Sequence, residues 1–448
     1  MKFILFSIAA AGVIPAAFFM VYDRRLLRIT AFLIPLCALA FQQTAINFFS
    51  HELYRGTSRG MEVSLSYLCA LVILLAILMR RGRLRLLPGA GSWLYCAYFL
   101  SCLVSTLNAD SLLYSFFELW KMVMIYLVFL AVWNYLELTD DVELFWYAMG
   151  TVVLLNFPAV VWGYCSGVYQ AHGVFPHQNS MSMYMSLAGN LFLARFFNCG
   201  GRFGRWFFAA AFGVASVSLV LTYSRGALAC YPVGCALTVM LSLIYSFDRR
   251  KLTAAAAAGV AALLVFVVFL PRIVERFETA PEASGNTRLN FAVAAFNMMD
   301  DKLLGVGVNN WGIKINPPYT YSRHRDPALG YHEDYKDGIV ETIYLLVGAE
   351  CGYGGLAVLL GWFGYYWVLA ARLLPRLAGT ARFYVPAGVC GGLAAVYMQS
   401  VLEWVLKQQI NFMQIMIVFA VVGYLNELRK RRNREALFRK KEETPAAA

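Results

Sequence analysis

The chain has 448 residues, of which 60% are hydrophobic and only 14% are charged. Soluble domains usually carry about 25% charged residues, so this composition excludes a water-soluble globular protein. Apolar runs of about 17 to 25 residues recur along nearly the whole chain, long enough for membrane-spanning helices. These runs do not fit a porin-type barrel, whose strands would be about ten residues long with alternating polarity. The sequence therefore predicts an all-α, polytopic helical membrane protein.

The net charge of +12 comes from 38 Lys and Arg against 26 Asp and Glu. The basic blocks share one position, between apolar runs or after the last one, and they are 24–28, 80–85, 202–205, 249–251, 372–382 and 429–441. Basic connections mark the cytoplasmic side of membrane proteins. The basic excess therefore indicates topology, and nucleic acid is excluded as a partner.

In chain order, the predicted spans are 3–21, 29–48, 63–79, 90–107, 113–136, 145–166, 181–197, 206–223, 226–246, 253–271, 342–370, 383–403 and 409–426. We predict about 12 to 13 transmembrane helices, with the first run retained as a span because it is long for a signal peptide. Four parts follow: helices 1–10 in 1–271, a large periplasmic loop in 272–341, helices 11–13 in 342–426, and a basic cytoplasmic tail in 427–448.

The predicted periplasmic loop at 272–341 is unusually long for a connection, and such connections tend to be functional. Asn286 or Thr287 can cap a short helix within it. That helix would carry apolar residues on one face, namely Leu289, Val293 and Phe296, and would stop near Gly305 and Gly307. We expect it to lie on the membrane or to cover a cavity between spans.

Arginines near the outer ends of spans are candidate ligands for an anion. Arg225 stands at an outer junction, where the positive-inside rule disfavours it, so it either reaches lipid phosphates or binds an anionic substrate. Arg288 lies in the first turn of the predicted loop helix, as a solvated residue or as a second cation for a diphosphate. Arginine contacts phosphate bidentately and stays charged. Arg323 and Arg325 are weaker candidates of the same kind.

Charged residues within or beside spans are further candidates, because burying them is costly. Glu118 and Lys121, one turn apart, can pair with each other or belong to the site. Glu350 lies inside a span and is predicted to be functional or buried with a partner. Glu403 and Lys407 are predicted to pair as i, i+4 neighbours.

Two outer segments supply histidines and carboxylates. His177 and Asn179 close the outer loop before the seventh span, either as plain surface or as part of a site. The stretch 331–341 contains His332 and several carboxylates, and it is either a solvated charge run or the source of a general base. Glu341 differs from the others because it borders the next apolar run.

Motifs for nucleotide or metal chemistry are missing from the sequence. It contains no Walker A motif and no HExxH, and the early outer loops lack an acidic pair for a metal. We therefore predict no metal and no cofactor.

Four short segments follow one another in a recognisable order. They are Gly173-Val-Phe-Pro-His-Gln-Asn179, Leu221-Thr-Tyr-Ser-Arg-Gly226, Arg288 through Leu303-Leu-Gly-Val-Gly307, and Tyr344-Leu345 with Glu350, Gly352 and Gly355. Together they resemble the O-antigen ligase-like superfamily of bacterial envelope proteins. That superfamily includes O-antigen ligases, O-antigen polymerases and protein O-oligosaccharyltransferases.

The resemblance implies a metal-independent, inverting transfer of a glycan from undecaprenyl diphosphate at the periplasmic face of the inner membrane. Arg225 and Arg288, with Lys121, would bind the diphosphate. The family usually has His-Asn three residues before its Tyr, whereas Glu341 and Thr342 stand there in this chain. The resemblance therefore implies that Glu341 or His332 replaces the usual base.

The acceptor and the functional class stay open at the level of sequence. A lipid A-core sugar as acceptor would make the protein a ligase of lipopolysaccharide biosynthesis, which we favour. A second lipid-linked repeat would make it an O-antigen or exopolysaccharide polymerase. A small-solute transporter is the more distant alternative, disfavoured because the chain shows no paired halves and its charged residues cluster at the outer face.

Overall fold

The computed structural model describes residues 2–198, 201–278, 282–322 and 338–443. Within these ranges the chain is almost entirely helical. The helices of the first part are α1 (Lys2–Ala11), α2 (Val13–Tyr22), α3 (Arg24–Leu36), α4 (Phe41–Thr44), α5 (Leu65–Arg81), α6 (Gly89–Ser105), α7 (Leu112–Thr139) and α8 (Glu143–Cys165). Those of the second part are α9 (Gln178–Phe197), α10 (Arg202–Leu221), α11 (Arg225–Tyr245), α12 (Arg249–Glu278), α13 (Glu282–Asp301), α14 (Trp311–Lys314), α15 (Ile343–Leu377), α16 (Tyr384–Gln399) and α17 (Gln409–Glu443).

Membrane-crossing helices dominate this architecture. In the described ranges, eight helical segments are long and apolar enough to cross a bilayer, namely Arg24–Thr44, Gly89–Asn108, Leu112–Thr139, Glu143–Cys165, Arg202–Leu221, Arg225–Tyr245, Ile343–Leu377 and Gln409–Asn433. A helix also lies within each of the thirteen apolar runs. The polytopic helical class is therefore confirmed, while the number of 12 to 13 spans stays a prediction.

The second predicted span, 29–48, differs from a continuous helix. Pro35 lies near the end of α3, where a proline supplies no backbone N–H to the helix. A short 3₁₀ turn at Cys37–Ala40 and then α4 follow. The chain next forms β1 (Ile46–Ser50), which pairs antiparallel with β2 (Gly60–Val63). The purely α prediction thus misses one hairpin, whose loop spans residues 51–59.

Helix α9 is the centre of the second half of the bundle, since it packs against α10, α11 and α16. Glycines allow the close approach of these helices. A Cβ at Gly391 of α16 would lie 2.0 Å from the Thr238 hydroxyl and 2.5 Å from the Gly234 carbonyl oxygen of α11. Small residues at helix contacts are typical of membrane bundles. This packing brings the beginnings of α9 and α11 to the end of α16.

Helix α15 is kinked at Gly352, whose φ of 71° suits glycine. The carbonyl groups before the kink are thereby available to another segment. The backbone N–H of Val306 donates to the Ala349 carbonyl at 2.9 Å, and that of Gly307 donates to the Glu350 carbonyl at 3.0 Å. The segment after α13 is therefore fastened to the kink.

The bundle has two ends of different character. At one end, which we call the site end, lie the hairpin, α13 and the connection 400–408. At the opposite end, ion pairs link the short connections, for example Arg195 with Glu143 at 2.7 Å and Arg382 with Asp140 at 2.8 Å. Arg382 belongs to the basic block 372–382 of the sequence. Helix α12 continues through Glu278, so the beginning of the predicted loop 272–341 is helical.

Candidate active site

Helix α13 brings Arg288 to the site end. Its buried side, which includes Phe291, Ala295 and Met298, packs against α15. Leu289, Val293 and Phe296 are exposed, with Leu289 65% accessible, so of the two predicted placements this apolar face fits contact with the membrane. The helix is confirmed, but it begins at least as early as Glu282 and ends at Asp301.

Arg288 reaches the carboxylates of two other segments. Its guanidinium forms an ion pair with Glu341, which lies just before α15, and its terminal nitrogen lies 4.0 Å from a carboxylate oxygen of Glu403. Glu403 belongs to the connection between α16 and α17. One arginine thus joins α13 to both ends of the α15–α16 hairpin.

Helix α9 contributes its first turn to the same place. His177 caps the helix, since its Nδ1 accepts a hydrogen bond of 3.2 Å from the backbone N–H of Asn179. The side chain of Asn179 hydrogen-bonds Glu403. The last residue of the segment Gly173–Asn179 therefore contacts the carboxylate of Glu403.

Arg225 is the first residue of α11 and follows a tight turn. Tyr223 in that turn has a φ of 47°, and the Thr222 hydroxyl accepts from the backbone N–H of Ser224 at 3.2 Å. The next residue, Gly226, packs against Leu402, since an added Cβ would lie 3.2 Å from a Leu402 methyl carbon. Arg225 is consequently close enough to Glu403 for its positive charge to lower the pKa of that carboxyl group.

Glu403 is the residue on which these segments converge. Its side chain is only 8% exposed. Burial is the largest cause that raises the pKa of Glu403, and the negative charge of Glu341 raises it further, while Arg288, Asn179 and Arg225 oppose the shift. The resulting pKa is about 7, so Glu403 exchanges a proton near neutral pH.

A cavity of about 1010 Å³, the site cavity, opens at this end of the bundle. Its wall includes both carboxylates of the convergence, Glu341 and Glu403. The polar and charged side chains around them are those of His177, Asn179, Lys121, Arg55, Arg59 and Glu62. A volume of this size accommodates sugar units together with a charged group.

The side chain of Asn309 bonds the hairpin loop to the segment after α13. The amide oxygen of Asn309 accepts from the backbone N–H of Thr57 at 2.8 Å, and its NH₂ group donates to the Ser58 carbonyl at 2.8 Å and the Tyr114 carbonyl at 2.7 Å. Asn309 itself has a φ of 56°, which asparagine tolerates better than most residues. These bonds position Arg55 and Arg59 at the site cavity.

A buried quartet of charges, Glu118, Lys121, Glu350 and Lys407, lies beneath the site cavity. Lys407 contacts Glu350 at 3.2 Å and Glu118 at 3.3 Å, and Lys121 contacts Glu118 at 2.7 Å. The hydroxyl group of Ser58 also donates to Glu118. Two cations and two carboxylates therefore compensate one another and tie α7, α15 and the 400–408 connection together.

The contacts of the quartet test three pairings that were predicted from the sequence. The pairing of Glu118 with Lys121 and the buried pairing of Glu350 are confirmed. The predicted pair of Glu403 with Lys407 is wrong, because Lys407 turns inward to the quartet while Glu403 faces the site cavity. The short 3₁₀ turn at Val405–Lys407 separates the directions of the two side chains.

Other predicted site residues fall into three groups. The structure brings Arg225, Arg288, Asn179 and Glu341 together around Glu403, and places His177 and Lys121 in the wall of the site cavity. Three candidates lie outside the described residues: His332, Arg323 and Arg325. Among the described residues, no three His, Cys, Asp or Glu side chains cluster so that they could hold a metal ion.

Sequence reasoning missed two contributors to this site. Glu403 was assigned to a local pair, although its position at the end of an apolar run is the signal that could have singled it out. The arginines of the hairpin loop, Arg55 and Arg59, carry no such signal, because nothing local indicates that their loop borders a cavity.

Residues 210–360, about a third of the chain, match the family model described as O-Antigen ligase. No match is found among the curated proteins. The matched range contains Arg225, Arg288, Glu341 and the kink in α15. The resemblance to the O-antigen ligase-like superfamily is thereby confirmed, and it supports glycan transfer of the ligase or polymerase type by a multi-pass membrane protein.

Proposed function

We propose that this member of the O-antigen ligase-like superfamily transfers a glycan from undecaprenyl diphosphate to a hydroxyl group of lipid A-core, at the periplasmic face of the bacterial inner membrane. One observation carries the proposal. Three separate segments bring Arg225, Arg288 and Asn179 to a pair of carboxylates beside a cavity of about 1010 Å³. A lipid-linked diphosphate needs cations at its leaving group, and an acceptor hydroxyl needs a base.

In the proposed mechanism the two arginines bind the donor diphosphate. Their guanidinium groups keep their charge and contact phosphate bidentately. They stabilise the negative charge that develops on the diphosphate as its bond to the sugar breaks. Lys121 is a further candidate ligand in the wall of the site cavity, although Glu118 already holds its ammonium group at 2.7 Å.

The acceptor reacts on the opposite side of the anomeric carbon. Its oxygen forms the new glycosidic bond while the bond to the diphosphate breaks, and undecaprenyl diphosphate leaves with the electron pair. The acceptor proton passes to a base of the protein, for which Glu341 and His332 are the candidates from sequence. A single displacement of this kind inverts the anomeric centre.

Reconstitution in lipid nanodiscs tests the proposal with undecaprenyl-diphosphate-linked O-antigen and lipid A-core as substrates. We expect the wild-type protein to produce ligated lipopolysaccharide. Arg225→Ala and Arg288→Ala should each lower the rate by about 10²- to 10³-fold, since each removes a group that stabilises developing charge. Arg202→Ala is the matched control, because Arg202 is an exposed arginine at the opposite end of the bundle.

Normal transfer by both site variants would contradict this assignment of the arginines. A wild-type protein that transfers glycan to neither lipid A-core nor a second lipid-linked repeat would contradict the proposed function itself.

A deletion strain separates ligase from polymerase. Loss of long glycan from lipid A-core, with a full ladder building up on the lipid carrier, is the result expected for a ligase. Surface lipid that carries one repeat and no ladder would instead identify a polymerase. Unchanged pools would contradict glycan transfer, and uptake of small solutes would then be measured.

A further inference from the structure

We propose that Glu403 is the general base that takes the proton from the acceptor hydroxyl. The inference rests on the proposed function and assigns its missing base to a residue outside the matched range 210–360. It starts from the convergence of α9, α11, α13 and the α15–α16 hairpin on this one side chain.

Position is the first argument. A general base must lie within hydrogen-bond reach of the hydroxyl proton in a bound acceptor. Glu403 lines the site cavity and stands beside both proposed diphosphate ligands, with Arg288 at 4.0 Å and Arg225 near enough to act on its charge. A hydroxyl that enters the site cavity next to the diphosphate therefore meets Glu403.

The second argument is the contrast with Glu341. The Glu341 side chain is 40% exposed and already paired with Arg288, so its negative charge is compensated and solvated. The Glu403 side chain is 8% exposed, and the guanidinium of Arg288 lies farther from it. Because burial raises the proton affinity of a carboxylate, Glu403 is suited to accept a proton, whereas Glu341 is already engaged in an ion pair with Arg288.

Several charged and titratable groups face Glu403 and set its proton affinity. Glu341 and burial favour the protonated form, whereas Arg288, Arg225 and the Asn179 amide favour the carboxylate. The groups across the site cavity are His177, Lys121, Arg55, Arg59 and Glu62. The balance leaves the pKa of Glu403 at about 7, the range in which a carboxylate works best as a base at neutral pH.

The third argument is rigidity. Four residues after Glu403, Lys407 is held by Glu350 at 3.2 Å and Glu118 at 3.3 Å. The Asn411 amide also donates to the Val405 carbonyl at 3.0 Å. The connection that carries Glu403 is therefore fixed by buried contacts, and such preorganisation is what a catalytic group requires.

The proton balance of the step is simple. The carboxylate of Glu403 accepts the acceptor proton as the acceptor oxygen bonds to the anomeric carbon, and the diphosphate leaves as an anion. The protonated Glu403 then returns its proton to water before the next turnover. No oxidant, reductant or metal enters this balance.

Glu403→Gln in the nanodisc assay is the central variant, because it keeps the size and hydrogen bonding of the side chain but removes the base. We expect kcat to fall by about 10²- to 10⁴-fold. Binding of the probe undecaprenyl diphosphate should be retained or strengthened, because a negative charge beside the arginines is removed, and the thermal unfolding midpoint should be kept. The matched control is Glu427→Gln, which should retain the rate, because Glu427 pairs with Lys430 at 2.8 Å at the opposite end of the bundle.

The pH profile separates a base from a merely structural residue. For the wild-type protein, kcat should rise with pH and level off with an apparent pKa of about 7, since only the carboxylate form is active. Glu403→Asp should retain a titrating limb with its midpoint displaced, whereas the residual rate of Glu403→Gln should no longer follow that limb.

Each other outcome overturns the assignment. If Glu403→Gln keeps the wild-type rate and pH profile, another group is the base. If it loses probe binding or stability together with activity, Glu403 has a structural role. Either result with an active wild-type protein leaves the proposed function intact, whereas an inactive wild-type protein removes the function and the base together.

Discussion

The buried quartet and the carboxylates of the site cavity use the same kinds of side chain with opposite results. In the quartet, Glu118 is 0% exposed and contacts two lysines directly. The connection 400–408 carries one member of each group, Glu403 at the site cavity and Lys407 in the quartet. Glu403 is also buried, but its cations are balanced by Glu341 and it borders an open cavity. Complete pairing fixes the four side chains of the quartet in place, whereas incomplete pairing beside a cavity leaves Glu403 able to exchange a proton.

The largest effect on stability should follow from removing one cation of the buried quartet. Lys407→Met leaves the carboxylates of Glu350 and Glu118 buried without this cation, and loss of one partner of a buried ion pair typically costs about 3 to 5 kcal/mol. We expect a markedly lower thermal unfolding midpoint in detergent. Lys430→Met is the matched control, because Lys430 pairs with Glu427 at 2.8 Å on an exposed surface, where such pairs contribute about 0 to 1 kcal/mol.

Equal unfolding midpoints for these two variants would show that the quartet does not hold the bundle together. The distinction between the buried quartet and the reactive Glu403 would then lose its physical basis.

A smaller effect is expected where the hairpin loop meets the segment after α13. Asn309→Ala removes the amide that bonds Thr57, Ser58 and Tyr114. Buried polar groups left without partners cost about 1 to 3 kcal/mol. Limited proteolysis should therefore cut the hairpin loop faster in the variant than in the wild-type protein.

Asn309→Gly distinguishes the side chain from the backbone at this position. Glycine adopts the φ of 56° without strain but cannot make the amide bonds. Faster proteolysis in both variants is expected. Protection in Asn309→Gly alone would show that backbone conformation, not the amide, holds the loop.

The smallest effect concerns the charge balance at Glu403. Glu341→Gln removes a negative charge that raises the pKa of Glu403 and releases Arg288 from its ion pair. Both changes favour the Glu403 carboxylate, so its pKa should fall and the rising limb of the kcat profile should move by roughly one unit to lower pH. A limb that stays in place or moves to higher pH would show that the two carboxylates do not interact as described.

The fold was largely predictable from local patterns. A helix lies within each predicted apolar run, because a chain in a bilayer must satisfy its backbone hydrogen bonds within each segment. The hairpin β1–β2 escaped prediction, since its residues sit at the end of one apolar run and in a short polar connection. Helix α13 was predicted, but the side that packs against α15 was not, because periodicity cannot tell whether an apolar side faces protein or lipid.

The candidate site was predictable only in part. Arg225, Arg288 and Asn179 stand in short motifs, and so does the Gly305–Gly307 segment that is attached to α15. Glu403 and Lys407 were assigned to each other from their spacing, which holds only on a continuous helix. The 3₁₀ turn between the helices breaks that spacing.

The sequence by itself determined the class of this protein, its helical segments and the arginines that we propose as diphosphate ligands, because hydropathy, charge placement and short motifs are local properties. Only the tertiary structure decided which charges meet. The buried quartet, the cavity and the position of Glu403 depend on contacts between residues that are far apart in the chain, such as Ser58 with Glu118 and Lys407 with Glu350. Burial and neighbouring charge set the chemistry of a carboxylate, and both arise only when the helices pack.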